Sequence, residues 1–145
     1  MPTVYLAGTI TPNKVHTGWR LQAANMLLDK KIYSISPIRG NNPADWTADG
    51  LDGVGTVYAD GGFVPRDERD IRRCDAVLLF FMDPLTRQSV GTWAEFGLAY
   101  ALGKPVVVCS GLPEIVQHPF VRRWSAKVVP DIKAAVAYLA FLLED

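Results

Sequence analysis

Residues 75–82 read DAVLLFFM, and after the opening aspartate they are apolar without a break. A strand with one solvated face alternates apolar and polar side chains. An unbroken run needs cover on both faces, as at the centre of a parallel sheet. The flanking residues supply that cover. Upstream, PRDERDIRRCD (65–75) reads as a short charged helix feeding the strand. Downstream, SVGTWAEFGLAYALGKPVVV (89–108) reads as a helix stopped by Gly103-Lys104-Pro105 and followed by a second buried strand, PVVVC. Further out, TVYLAG (3–8) and IYSIS (32–36) read as strands. Between them Val15, Trp19, Ala23, Met26 and Leu27 recur at helical spacing. AKVV (126–129) is a fifth strand, before a helix with Ile132, Val136, Leu139 and Leu143 on one face. Strands alternating with helices predict an α/β fold. It is an open five-stranded parallel sheet with helices on both faces and right-handed crossovers.

Composition narrows the function. The 145 residues suit one domain spanning 1–145, with 49% hydrophobic and 21% charged residues. Fifteen basic residues offset fifteen acidic ones, so no global field recruits a nucleic acid polymer or an anionic membrane. No apolar run approaches the roughly 20 residues that span a bilayer, and MPTVYLAG has no charged leader region. Cys74 and Cys109 lie in or beside apolar strands and read as reduced core thiols, which favours a cytoplasmic protein. His16 and His118 are too far apart in sequence for metal-ligand spacing. The turn AGTITPN lacks dinucleotide-binding glycines, no Walker lysine occurs, and no G-x-S-x-G elbow is present. Neither a cofactor nor a metal is expected.

Residues 37–64, PIRGNNPADWTADGLDGVGTVYADGGFV, break the rhythm. So long a segment without periodicity is a functional lid or a disordered insert. Trp46 and Tyr58 favour the lid, because aromatics are scarce in disordered chains.

Ligands of an open parallel sheet bind beyond the carboxyl ends of its strands. Gly8-Thr9, Asp83–Gly91 and Ser110-Gly111 fall there. Glu95 lies early in the helix after the central strand, the one acidic residue among twenty in 89–108. An ionised carboxylate in such company is costly unless something holds it. The helix N-terminal dipole would help to keep it charged. Glu95 is therefore a candidate nucleophile, or a structural carboxylate that caps its helix or pairs with a buried arginine. Gly91 and Gly97 flank it and leave room for a ligand. In 65–75, helical ion pairs explain most of the charges. They do not need Asp67, whose place near the helix start lets it overhang the crevice. Trp46, in the lid, suits stacking on a flat ligand, whereas Trp19 and Trp93 suit packing of helix on sheet.

VYLAGTI, RDERDIRRCDAVLLFF and GTWAEFGLAYALGKPVVV, in that order, resemble the nucleoside 2-deoxyribosyltransferase superfamily. That superfamily includes 2'-deoxynucleoside 5'-monophosphate and CMP N-glycosidases. The match covers roughly Thr3 to Cys109. It implies a flavodoxin-like fold and cleavage of a nucleoside N-glycosidic bond. By the resemblance Glu95 aligns with the nucleophile that forms a glycosyl ester. Asp67 aligns with the general acid/base acting on the nucleobase, and Tyr5 with the tyrosine that orients the nucleophile. Gly8, Thr9, Gly91 and Trp46 would contact substrate. Ser89 stands where typical transferases carry an aspartate that binds the sugar 5'-hydroxyl. A serine there, as in the monophosphate hydrolases, does not repel a phosphate. GTITPN lacks the arginine common in those hydrolases, a charge that Arg39 or Arg87 would have to supply. The resemblance also implies a homo-oligomer. EIVQHPFVRRWSAKVV lacks the asparagine and methionine pattern of a pocket-completing neighbour, though Arg122, Arg123 and Trp124 could serve an interface or a phosphate. The expected activity is transfer of 2-deoxyribose from a nucleoside to another nucleobase. Hydrolysis of nucleoside 5'-monophosphates is the alternative, and a non-catalytic nucleotide sensor is the rival from another class.

Overall fold

Successive residues of a strand point to opposite faces of the sheet, so two buried faces need two sets of helices. The computed structural model describes residues 1–9, 14–39, 62–82 and 90–145, with backbone alone for 14–17. Its first half runs β1 (Thr3–Gly8), α1 (Lys14–Asp29), β2 (Tyr33–Ile35), α2 (Val64–Arg73) and β3 (Ala76–Phe80). Its second half runs α3 (Val90–Ala101), β4 (Val106–Cys109), α4 (Pro113–Val116), α5 (Pro119–Trp124), β5 (Lys127–Val129) and α6 (Ile132–Leu142). The five strands are all parallel, in the order β2-β1-β3-β4-β5. This is the expected flavodoxin-like α/β sheet. The short helices α4 and α5 were not legible in the sequence, because four and six residues are too few to establish a helical period.

Two cores sandwich the sheet. Val4, Leu6, Ala76, Leu78, Val107 and Cys109 face α1 and α6. Their neighbours Tyr5, Ala7, Val77, Leu79, Val106 and Val108 face α2, α3 and the α4–α5 pair. Burying each large aliphatic chain contributes about 1.5–3 kcal/mol. Both cysteines are buried and free.

Local chemistry sets the element ends. Past α3, Gly103 takes a φ of +73°. Its N–H donates to the Tyr100 carbonyl at 3.0 Å, and the Lys104 N–H donates to that of Ala99 at 2.9 Å. This is a Schellman close that a residue with a Cβ would strain. Asp75 locks β3 to the start of β1, its Oδ2 accepting from the Thr3 N–H at 2.7 Å. On α2, Arg72 pairs with Glu68 and Arg73 with Asp70, both at 2.9 Å, as the charge spacing predicts.

The chain steps outward from β1 to β2, then returns to β3 on the other side of β1. The β1–β3 seam is thus the topological switch point, where a crevice opens at the strands' carboxyl ends. Most of the lid-like segment (40–61), with Trp46 and Tyr58, lies outside the described residues, as do Ser89 and Arg87.

Candidate active site

Three elements converge on this seam. Tyr5 on β1 points to the α2–α3 side because its neighbours Val4 and Leu6 point to the other. It is fully buried. Asp67 sits in the first turn of α2, 7% exposed. Glu95 lies in the second turn of α3, partly exposed as a residue but with its Oε2 sealed from solvent.

These groups alter one another's ionisation. Burial pushes the Glu95 carboxyl up to about 8; the Tyr5 hydroxyl and Arg20 pull it down, while Asp67 adds to the rise. Burial likewise pushes Asp67 up to about 7, with the neighbouring Asp70 charge adding to it and Arg66, Arg39 and Arg20 opposing. Tyr5 is held far above the usual phenol range, first by burial and then by Glu95 and Asp67. The Tyr5 hydroxyl is placed so that it favours the ionised form of Glu95. Tyr5 Oη, Glu95 Oε2 and Asp67 Oδ1 are each buried and meet no hydrogen-bond partner among the described residues. Catalytic hydrogen bonds are commonly loose until substrate binds.

Two sequence expectations change here. The helix dipole, expected to help keep Glu95 charged, falls off beyond the first turn, where Glu95 lies, and burial raises its carboxyl instead. Gly97 faces Trp124 rather than the crevice, a Cβ on it lying 4.0 Å from that ring. Gly8 has a packing reason. An added Cβ would stand 2.8 Å from Trp19 Cζ2 and 3.0 Å from the Phe80 carbonyl oxygen. Thr9 is buried beside it, and Gly91 is exposed in the first turn of α3. Trp19 stacks on Phe80 at 4.7 Å and belongs to the core. Trp93 packs on Phe81 and Phe96 and lines a cavity of ≈ 430 Å³ with Phe120 and Trp124, on the α5 side of α3. Arg39 is tied down, its guanidinium 2.6 Å from Asp70 and donating to the Ser36 carbonyl at 2.9 Å.

The sequence reading missed Arg20, a buried arginine 3% exposed. Its signal was periodicity: Arg20 lies three and seven residues before Ala23 and Leu27, on the buried stripe of α1. Among the described residues, no cluster of three or more His, Cys, Asp or Glu side chains is arranged to hold a metal ion. No helix there is long and apolar enough to cross a membrane.

The fold and site define a class: an α/β protein with a tyrosine and two carboxyls at the switch point of a parallel sheet. The profile of the family described as "Nucleoside 2-deoxyribosyltransferase like" matches residues 1–111, and the chain belongs to that family. No curated protein matches it. Among solved structures, it is similar to a 2-deoxyribosyltransferase from Bacillus psychrosaccharolyticus, with a TM-score of 0.72 and 22% identity over 94% of this chain and 91% of that one. A conserved protein from Enterococcus faecalis V583 gives a TM-score of 0.71 at 17% identity, covering 99% of each chain. The CMP N-glycosidase BcmB of Clostridium botulinum gives 0.54 at 17% identity, over 94% of this chain and 97% of its own.

Proposed function

We propose that this protein is a nucleoside 2-deoxyribosyltransferase working through a glycosyl ester on Glu95. The observation that carries the reading is the convergence of Tyr5, Asp67 and Glu95 in one buried cluster at the switch point. Two carboxyls so close do not both ionise readily, so the pair shares a proton around neutral pH. The hydroxyl of Tyr5 favours the ionised form of Glu95, and the charge of Asp70 favours the protonated form of Asp67. Burial outweighs both influences in the free protein, where Glu95, at about 8, holds the shared proton more tightly than Asp67, at about 7. Displacement of a nucleobase requires that proton on Asp67, the redistribution these two neighbours favour.

The Glu95 carboxylate attacks the anomeric carbon as the carbon–nitrogen bond breaks, and Asp67 delivers its proton to the departing base. An incoming base gives its proton to Asp67 and attacks the same carbon from the face the first base left. The ester then breaks and Glu95 is free again. Two displacements retain the configuration of the sugar.

A second reading, N-glycosidase action on nucleoside 5'-monophosphates, is favoured by Ser89, which presents no negative charge to a phosphate. Water then replaces the second base. In either reading Gly8, Thr9, Gly91 and Trp46 contact substrate, no cofactor takes part, and the enzyme works in the cytoplasm as a homo-oligomer. Light scattering on the purified chain measures the subunit number.

Product analysis on thymidine and dTMP, each with and without adenine, separates the readings. Deoxyadenosine formed from thymidine only in the presence of adenine establishes the transferase. Thymine and deoxyribose 5-phosphate from dTMP, with thymidine untouched, establish the hydrolase. Binding of these compounds without turnover of any nucleoside or nucleotide leaves the sensor.

A further inference from the structure

Arg20 enters the site from below. Its helix, α1, packs on the sheet face opposite Tyr5, yet its guanidinium reaches the carboxyl end of β1. There Nη2 donates to the Gly8 carbonyl at 2.9 Å, Nε to that of Leu6 at 3.4 Å and Nη1 to that of Thr9 at 3.5 Å. The guanidinium carbon lies 4.6 Å from the Trp19 ring centroid, and Trp19 is itself stacked on Phe80 at the end of β3. An arginine fork is always charged in ordinary surroundings and is costly to bury. Carbonyl oxygens and an aromatic face satisfy part of that cost. From there its charge also acts on Glu95 and Asp67.

We propose that Arg20 is a positioning residue of this site. It clamps the last turn of chain in β1 beneath the crevice and supplies the fixed positive charge that the Glu95–Asp67 pair faces. The proposal rests on the carboxyl pair being the reacting groups. Other groups facing the pair are Tyr5 from β1, Asp70 and Arg66 from α2 and Arg39 from the turn after β2. Arg39 is already committed to Asp70, and Arg66 donates to the Arg39 carbonyl at 2.8 Å. Arg20 differs from both in acting on Glu95 and Asp67 alike.

Carbon-13 NMR titration of the Asp and Glu carboxyls tests the idea without needing turnover. In Arg20→Gln the Glu95 and Asp67 midpoints rise by about 1 unit or more, and Arg20→Lys recovers most of that shift. The acid limb of kcat/KM rises with them, a loss of about 10-fold per unit below the midpoint. Unchanged midpoints in a folded Arg20→Gln protein, with only thermal stability reduced, overturn the proposal. If that variant does not fold, the wild-type Arg20 Nε–H resonance decides. It moves with pH through the carboxyl midpoints if the proposal holds, and a flat response overturns it. Responsive midpoints in a protein that turns over no nucleoside or nucleotide support the role of Arg20 and defeat the transferase reading instead.

Discussion

Glu95 and Asp67 carry the same functional group and differ in their surroundings. Glu95 has a tyrosine hydroxyl that favours its charge, whereas Asp67 has a second aspartate that opposes it. Replacing Glu95 by alanine should abolish turnover while leaving the far-ultraviolet circular dichroism unchanged, since the substitution removes a charge that is costly to bury. Mass spectrometry of the wild-type protein quenched during turnover should find one glycosyl adduct, lost in that variant. Asp67→Asn should lower kcat by ~10²–10⁴-fold for ordinary nucleobases. It should lower it much less for a sugar with an activated leaving group. The Asp67 charge raises the Glu95 pKa, so removing it should also move the acid limb of the pH profile downward. A pH–rate series on both substrates checks both expectations.

At the scale of elements, strand alternation on β1 accounts for two different roles. Tyr5 faces α2 and α3, where the candidate site lies, while Val4 and Leu6 face α1. The strand then ends at Gly8, where Trp19 and the Phe80 carbonyl leave no space for a side chain. Gly8→Ala should therefore destabilise the protein by about 1–3 kcal/mol, the usual cost of overpacking a filled core. Chemical denaturation measures this. Because the Gly8 carbonyl also holds Arg20, kcat should fall beyond what lost folding explains. The charge spacing of α2 predicted its ion pairs, and its stop signals predicted the end of α3. The burial of Asp70 was not visible, because it depends on Arg39, thirty-one residues away along the chain.

For the molecule as a whole, the raised carboxyls tie stability to pH. Two carboxyls with folded pKa values near 7 and 8 hold protons that the unfolded chain, titrating near 4, releases. Between those values the folded state binds more protons, so stability falls as pH rises and levels off above about 8. Melting temperatures of wild type and Glu95→Gln should be similar near pH 4. They should then diverge in favour of the variant up to pH 9, and a difference independent of pH would refute this account.

The sequence by itself determined the sheet and the four longer helices but not α4 and α5, since periodicity and uninterrupted apolar runs are local and survive without knowledge of neighbours. It also marked Glu95 and Asp67 as candidates, through an acidic residue in apolar company and an acid that the helical ion pairs left over. Only the tertiary structure decided that Tyr5 meets both of them. It alone brought Arg20 through the end of β1 to the same place and let burial outweigh the helix dipole. Those outcomes depend on which groups share one low-dielectric space. Residues 5, 20, 67 and 95 enter that space from four different elements, a juxtaposition that no local pattern encodes.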